Sequence, residues 1–201
     1  MADMVTKLLD MARLQSGAIR LNIEWQSIEE IIGGAPKAPK APQGALGERR
    51  LAVHIEPGMP LVACDAVLIE RVLVNLLEKA GKYTPSASPV EILAQGRDGQ
   101  LRVSVRDHGP GVPLGQQERI FEKFTRGDAE SATSGVGPGL DICRIMVQAH
   151  GGHIGVAPTV PHGATFTFSL PLGTPPAIDM SGDRPTDPTL APAPAHRTEA
   201  R

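Results

Sequence analysis

The stretch VLVNLLEKAGKYTP, residues 72–85, reads as an amphipathic helix stopped by a proline. Val72, Leu73, Leu76, Leu77 and Ala80 form its apolar side, while Arg71, Asn75, Glu78, Lys79 and Lys82 recur at helical spacing as one polar stripe. Such a stripe is ordinarily a solvated face. This one sets a lone carboxamide beside a carboxylate and two ammoniums, a combination that also suits a bound polyanion. The choice between water and a ligand depends on what surrounds the helix in the chain.

Before it, LAVHIE is a short strand and Asp65 is placed as an N-cap. After it, PVEILAQ and LRVSVRD alternate as strands on either side of Arg97-Asp98-Gly99, a hairpin signal. HGPGVP follows, then a short helix over QQERIFEKF, the glycine-rich TRGDAESATSGVGPG, and a helix from Leu140 to His150. HIGVAP and ATFTFSLP close the sequence of elements as two more strands. Nearer the N-terminus, residues 3–16 carry an apolar stripe (Met4, Leu8, Met11, Leu14) with Gly17 as a helix stop, and IRLNIEW alternates as a strand. Ser27 and Glu30 form the spacing of a capping box. Pro36, Pro39 and Pro42 then argue for a loop over residues 33–47, since proline inside a helix costs about 3 kcal/mol. Strands and helices are mixed rather than strictly alternating, which predicts an α+β fold, a two-layer α/β sandwich.

The 201 residues leave room for one domain with appendages, and 41% hydrophobic with only 3% aromatic content means that aliphatic side chains fill the core. A net charge of -2 gives no electrostatic case for nucleic acid or an anionic membrane. No apolar run approaches the ~18 residues of a membrane span, no signal peptide is evident, and the expected location is cytoplasmic. Cys64 and Cys143 lie in apolar-periodic segments and read as buried thiols rather than a disulfide or metal pair. From Gly173 onward the proline-rich sequence cannot bury enough apolar surface to offset its ordering entropy, so residues 173–201 read as a disordered tail.

Two glycine-rich segments carry the candidate chemistry. Asp107-His108-Gly109-Pro110-Gly111 ends a strand, and an Asp there can accept from a ring amine while glycines permit close backbone approach. Gly135-Val136-Gly137-Pro138-Gly139-Leu140 runs into a helix N-terminus, where free N–H groups and the helix dipole favour phosphate. Either alone is weak. Their order is specific: an Asn-bearing helix, DxGxG, RIFEKF, GxGxGL and AHGGHI together resemble the catalytic ATP-binding domain of sensor histidine kinases, a Bergerat-type (GHKL) fold shared with gyrase, Hsp90 and MutL. The resemblance covers roughly residues 1–172. LLDMARLQSGAIRLNIEWQSIEEII and LIERVLVNLLE look most like the potassium-responsive KdpD subfamily.

The resemblance implies a division of the chain into residues 1–17 as the end of a second dimerisation helix, 18–172 as the ATP-binding domain, and 173–201 as the tail. It implies a role for each position. Asn75 lies at the phosphates and is the metal ligand for Mg²⁺; Lys79 and Lys82 face phosphate, and Tyr83 lies against the nucleotide. Asp107 accepts from the adenine amino group, with Gly109 and Gly111 shaping that pocket. Arg126 reaches the terminal phosphate, while Phe121 and Phe124 seat the lid. Gly135, Gly137, Gly139 and Leu140 form the phosphate cradle. Asn75, Glu78 and Arg126 are the implied catalytic residues of an ATP-dependent protein-histidine kinase, whose partners are a dimerisation domain and a response regulator.

The sequence departs from that pattern in three places. Lys79 stands where the family has a second, Mg²⁺-binding Asn, and an ammonium has no lone pair to give. Pro138 replaces a Leu in the second glycine box and removes an N–H. The prolines at 36, 39 and 42 interrupt a segment that the family uses as a helix. Moreover, none of His54, His108, His150, His153, His162 and His196 precedes an acidic residue, as a phosphoacceptor would. The leading expectation is phosphoryl transfer from ATP to a histidine on another chain. The alternative is an impaired module that binds nucleotide or a kinase partner without transfer, and a third, ranked last, is a serine-directed anti-sigma-type kinase.

Overall fold

The computed structural model describes residues 21–37, 50–85, 87–122 and 139–174. A five-stranded mixed sheet carries the fold: β2 (Leu51–Ile55), β4 (Val90–Arg97), β5 (Gln100–Arg106), β7 (Ala164–Pro171) and β6 (His153–Pro158), in that spatial order. β2 runs parallel to β4 and the other neighbours are antiparallel. A separate two-stranded ribbon pairs β1 (Glu24–Gln26) with β3 (Val62–Cys64). Helices α1 (Ile28–Gly34), α2 (Ala66–Tyr83) and α3 (Leu140–Ala149) supply the second layer. This is the expected α+β sandwich.

Period-two patterning decides which sheet face is covered. Val90, Ile92 and Ala94 of β4, Leu101, Val103 and Val105 of β5, and Phe166, Phe168 and Leu170 of β7 point into one core with Leu73, Leu76, Ile142 and Met146 of the helices. Burying each Leu, Ile, Val or Phe contributes about 1.5–3 kcal/mol relative to exposure. The opposite face is mostly polar, although Leu93 is exposed on it. There Ser104 and Thr167 share a hydroxyl hydrogen bond of 2.8 Å, and Arg106 pairs with Glu91 at 3.4 Å across the strands. The β4–β5 turn is built by Asp98 (φ 53°) and Gly99 (φ 71°), both in the left-handed region that a two-residue hairpin demands.

Helix α2 is framed by the residues that its sequence assigned to that task. The Asp65 carboxylate accepts from Leu68 N–H at 3.2 Å, and at the other end Thr84 N–H reaches Ala80 O before Pro85 forbids continuation. Thr84 is extended (φ -82°, ψ 136°), the geometry forced on a residue preceding proline. Both cysteines are buried and free, as expected.

Four local expectations are corrected. Ser27 does precede α1, but its hydroxyl donates to Glu29 at 3.0 Å and makes no cap, so the Ser27–Glu30 box does not form. The segment read as a loop from residue 33 is helical to Gly34 and continues as a 3₁₀ turn, Ala35–Lys37, because buried Ala35 packs on α2 and Pro36 sits where a first turn needs no N–H. The helix expected over QQERIFEKF is, within its described part, one 3₁₀ turn, Arg119–Phe121. So short a segment cannot offset helix nucleation. It is fixed instead by Phe121, edge-on to Phe166 at 6.4 Å, with the Arg144 guanidinium 5.2 Å from its ring. Finally, the described part of IRLNIEW is a strand only from Glu24, and its partner β3 had no sequence signal. Residues 3–16 lie outside the described residues, as does the tail beyond residue 174. Gly173 itself packs beneath Trp25, with room for no Cβ: one built there would lie 2.7 Å from the ring.

His150 joins two helices. Asp65 N–H donates to its Nε2 at 3.0 Å, so Nδ1 carries the proton and donates to Met146 O at 2.7 Å. The next residue, Gly151 (φ 72°), closes α3 in a Schellman motif, with Gly152 N–H on Val147 O. The start of α2 is thereby held to the end of α3 by one neutral imidazole. His150→Ala should lower stability by about 1–3 kcal/mol, the cost of leaving a backbone donor and acceptor unmatched. Urea unfolding measures this, and an unchanged midpoint would show that the bridge contributes nothing.

Candidate functional site

The turn after β5 is held by several backbone contacts. Asp107 is 4% exposed, and its Oδ1 accepts from Gly109 N–H at 2.8 Å and Ala164 N–H at 3.2 Å. Its own N–H donates to Ala164 O at 2.8 Å. The strand end is therefore clamped to the β6–β7 hairpin. Burial pushes the Asp107 carboxyl above its ordinary value, while the two amide donors and His108 pull it back. Both of its hydrogen bonds among the described residues use Oδ1, which leaves Oδ2 to accept from a ligand.

The glycines here answer first to the protein's own backbone. A Cβ on Gly109 would lie 2.7 Å from Tyr83 O at the end of α2. One on Gly111 would lie 2.8 Å from Gly163 O, and one on Gly163, at φ 124°, only 2.0 Å from Asp107 O. Three elements thus meet with bare backbone between them: the end of α2, the DxGxG turn and the hairpin. This qualifies the sequence reading, which assigned Gly109 and Gly111 to close approach by a ligand. Gly163 and Ala164 went unnoticed. Their only signal is a Gly that opens the strand ATFTFSLP just after a Pro-His pair. At the rim, His108 Nε2 and Glu91 Oε1 are 3.1 Å apart, and the His108 and His162 rings stand edge-to-face.

The polar stripe of α2 is not a solvated face. Asn75 is 7% exposed, and Glu78, Lys79, Arg71 and Tyr83 are half-buried, with Lys82 exposed. Asn75 Nδ2 donates to Cys143 Sγ of α3 at 3.6 Å, and that thiol lies 4.0 Å from Val72 O. Burial pushes Cys143 up to about 12; the Asn75 bond and the charges of Lys79 and Arg71 act the other way. Lys82 Nζ lies 5.4 Å from the Tyr83 ring centroid. At the start of α3, Gly139 N–H donates to the Asp141 carboxylate at 3.1 Å, and Leu140 is buried.

Asp107, Gly109, Gly111 and Tyr83 are therefore brought together at one end of α2, and Asn75 faces α3 within the same helix layer. Gly135, Gly137, Pro138, Phe124 and Arg126 lie outside the described residues. Among the described residues no cluster of three His, Cys, Asp or Glu side chains could hold a metal ion. No described helix is long and apolar enough to cross a membrane.

This arrangement agrees with what the chain is similar to. The profile of the family "Histidine kinase-, DNA gyrase B-, and HSP90-like ATPase" matches residues 64–174. The sensor protein KdpD of Escherichia coli (strain K12) is 42% identical over 180 residues, which cover 88% of this chain and 19% of that protein. Among solved structures, full-length ShkA in complex with AMPPNP aligns with a TM-score of 0.73 at 31% identity, covering 86% of this chain and 36% of that one. The nucleotide-free catalytic domain of histidine kinase ThkA aligns with a TM-score of 0.63 at 26% identity, covering 75% of this chain and 95% of that one. The chain thus spans about a fifth of its curated relative KdpD and most of an isolated kinase catalytic domain. It belongs to the histidine kinase-, DNA gyrase B- and HSP90-like ATPase family.

Proposed function

We propose that this chain is the ATP-binding catalytic domain of a KdpD-like sensor histidine kinase, which transfers the terminal phosphoryl group of ATP to a histidine on a dimerisation domain. A response regulator then receives the group. The observation that carries the reading is the buried Asp107 carboxylate, fixed through Oδ1 by two backbone amides and presenting Oδ2. Such an acceptor pairs with the amino group of adenine, whereas the carbonyl of guanine would confront it with two acceptors and no proton. Tyr83, at the same end of α2, would lie against the nucleotide, with Gly109 and Gly111 holding the pocket's wall. Asn75, Glu78, Lys79 and Lys82 would serve the phosphates, as would Arg126, Gly135, Gly137, Gly139 and Leu140. Catalysis in this class is mostly positioning and charge neutralisation.

Mg²⁺ is the one group that fits only in part. Asn75 offers an amide oxygen, suitable for an ion that keeps most of its water and takes the rest of its ligands from phosphate. Lys79, on the next turn, offers none. Two unit charges of like sign 4 Å apart repel by roughly 4 kcal/mol at an intermediate dielectric, and solvent at a half-exposed ammonium reduces that figure. The Lys79 ammonium still attracts phosphate oxygens, so nucleotide binding survives. For the isolated chain, slow phosphate transfer with nucleotide binding retained is the expected outcome.

ATP should therefore bind much more tightly than GTP, and equal affinities would refute the pocket. Asp107→Asn keeps an oxygen for Gly109 and Ala164 but loses the charge. It should cut adenine-nucleotide affinity by about ten- to a hundredfold, the worth of one charge-assisted hydrogen bond, and leave the fold intact. The pH dependence has a definite sign. The folded-state pKa of Asp107 is raised, so its contribution to stability is full below the unfolded pKa and is lost as pH rises through the folded one. Nucleotide affinity runs the opposite way, falling as acid protonates the carboxylate, and the Asn variant should lack that slope. ADP titrations at neutral and acidic pH test it.

For Lys79, isothermal titration with Mg²⁺ or EDTA should give nearly equal ATP affinities in the wild-type chain. Lys79→Asn should restore a clear Mg²⁺ gain. A wild type that already prefers Mg·ATP strongly would overturn this account of Lys79.

A further inference from the structure

Among the described residues the five-stranded sheet has two open edges, β2 and β6, and they are built differently. β6 carries Pro158 at its end, and its Ile154 side chain is fully covered. β2, Leu51–Ile55, has no proline, lysine or acidic residue, the features that ordinarily keep an edge from pairing with another strand. Val53 shares a face with its register partner Ile92, which is fully buried, yet Val53 is 45% exposed. An uncovered valine thus lies at the middle of an unprotected edge. Arg50 O accepts from Val90 N–H at 3.0 Å and Glu56 N–H donates to Ala94 O at 2.9 Å, so the even-numbered residues of β2 turn their backbone groups to β4. Because the two sides of a strand alternate, Leu51, Val53 and Ile55 turn theirs to the open edge.

We propose that a second copy of this chain occupies that edge: two β2 strands pair antiparallel about a two-fold axis at Val53, joining their sheets into one. A two-fold contact must be self-complementary, and this strand is. Val53 faces its own counterpart and Leu51 faces Ile55, and each facing pair can exchange two backbone hydrogen bonds. The next pair outward sets Arg50 of one copy against Glu56 of the other, opposite charges at both ends of the ladder. Arg50 is exposed, and the Glu56 side chain, which also holds Arg97 at 3.0 Å, remains 40% exposed and within reach of a second guanidinium. A slip of two residues either way destroys the match. Arg50 would then meet His54 or Gly58, and in the second case Leu51 would meet Pro57, which has no N–H to give. Five residues a side is small beside the ~20–30 of a standard interface, so the pairing is weak and appears as concentration rises.

The test uses the full chain, with hydrogen exchange read by nitrogen-15 NMR and mass by sedimentation. As concentration rises, the amides of Leu51, Val53 and Ile55 should exchange several-fold more slowly. Those of Ala52 and His54, already turned to β4, should not change. Val53→Lys sets two ammoniums face to face at the axis and should weaken association by about tenfold or more. Its melting temperature at low concentration reports whether the monomer still folds; should it unfold, the charge-swapped pair decides. Arg50→Glu and Glu56→Arg should each self-associate less than the wild type, yet their mixture should form a heterodimer, because the swap restores both end pairs. A mass that stays monomeric at every concentration, a dimer that persists in Val53→Lys, or a mixture no better than its components would overturn the proposal. So would edge amides protected at every concentration in a monomer, since residues of the same chain would then occupy the edge.

Discussion

The geometry of the site depends on one buried carboxylate. An isolated ionised group taken out of water is costly, and it persists only where hydrogen bonds replace its hydration. Asp107 meets that requirement with amides from two different elements, Gly109 in its own turn and Ala164 at the start of β7. The same contact forces three backbones together, and so dictates glycine at 109, 111 and 163, where a Cβ would lie within 2.8 Å of a carbonyl oxygen. The charge, the turn and the hairpin tip thus form one device. None of the three glycines could take a side chain without a clash.

A second seam, between α2 and α3, is built on different terms. At one end the His150 imidazole matches a donor on α2 to an acceptor on α3. Further along, Asn75 and Cys143 join the same two helices through a soft N–H to sulfur bond inside the core. Polar contacts of this kind specify register between helices that apolar packing alone would let slide. The position of Asn75 in the stripe on α2 follows: it is held toward α3 rather than left to water.

Much of this was legible in the sequence, for identifiable reasons. Long elements with uninterrupted periodicity (α2, β4, β5, β7) declare themselves, as do end signals with a single physical meaning, such as Asp65, Pro85 and the Asp98-Gly99 turn. Short elements do not. β3 has three residues and shows no alternation to count, and it exists because β1 pairs with it. The Arg119–Phe121 turn was over-read as a helix because its pattern was helical, although what fixes it is Phe121 against Phe166 and Arg144, residues distant in sequence. Ser27 failed as a cap because Glu29, two residues on, offered its hydroxyl a charged acceptor. Within the site, Asp107 and Asn75 were readable as residue types in a motif. Gly163, Ala164 and Cys143 were not, because each matters through a partner that only the fold supplies.

The two halves of the site consequently tolerate change differently. The Asp107 half is made mostly of main chain: amides on the carboxylate and carbonyls against glycines. A side chain added at one of those glycines strikes the fold itself. The α2 half is made of side chains on one long, well-capped helix whose stability comes from its apolar face. Lys79 is half-exposed on that helix, and replacing one long polar side chain by another there costs the fold little. A change among those side chains can therefore arise without disturbing the Asp107 turn, which is held by backbone.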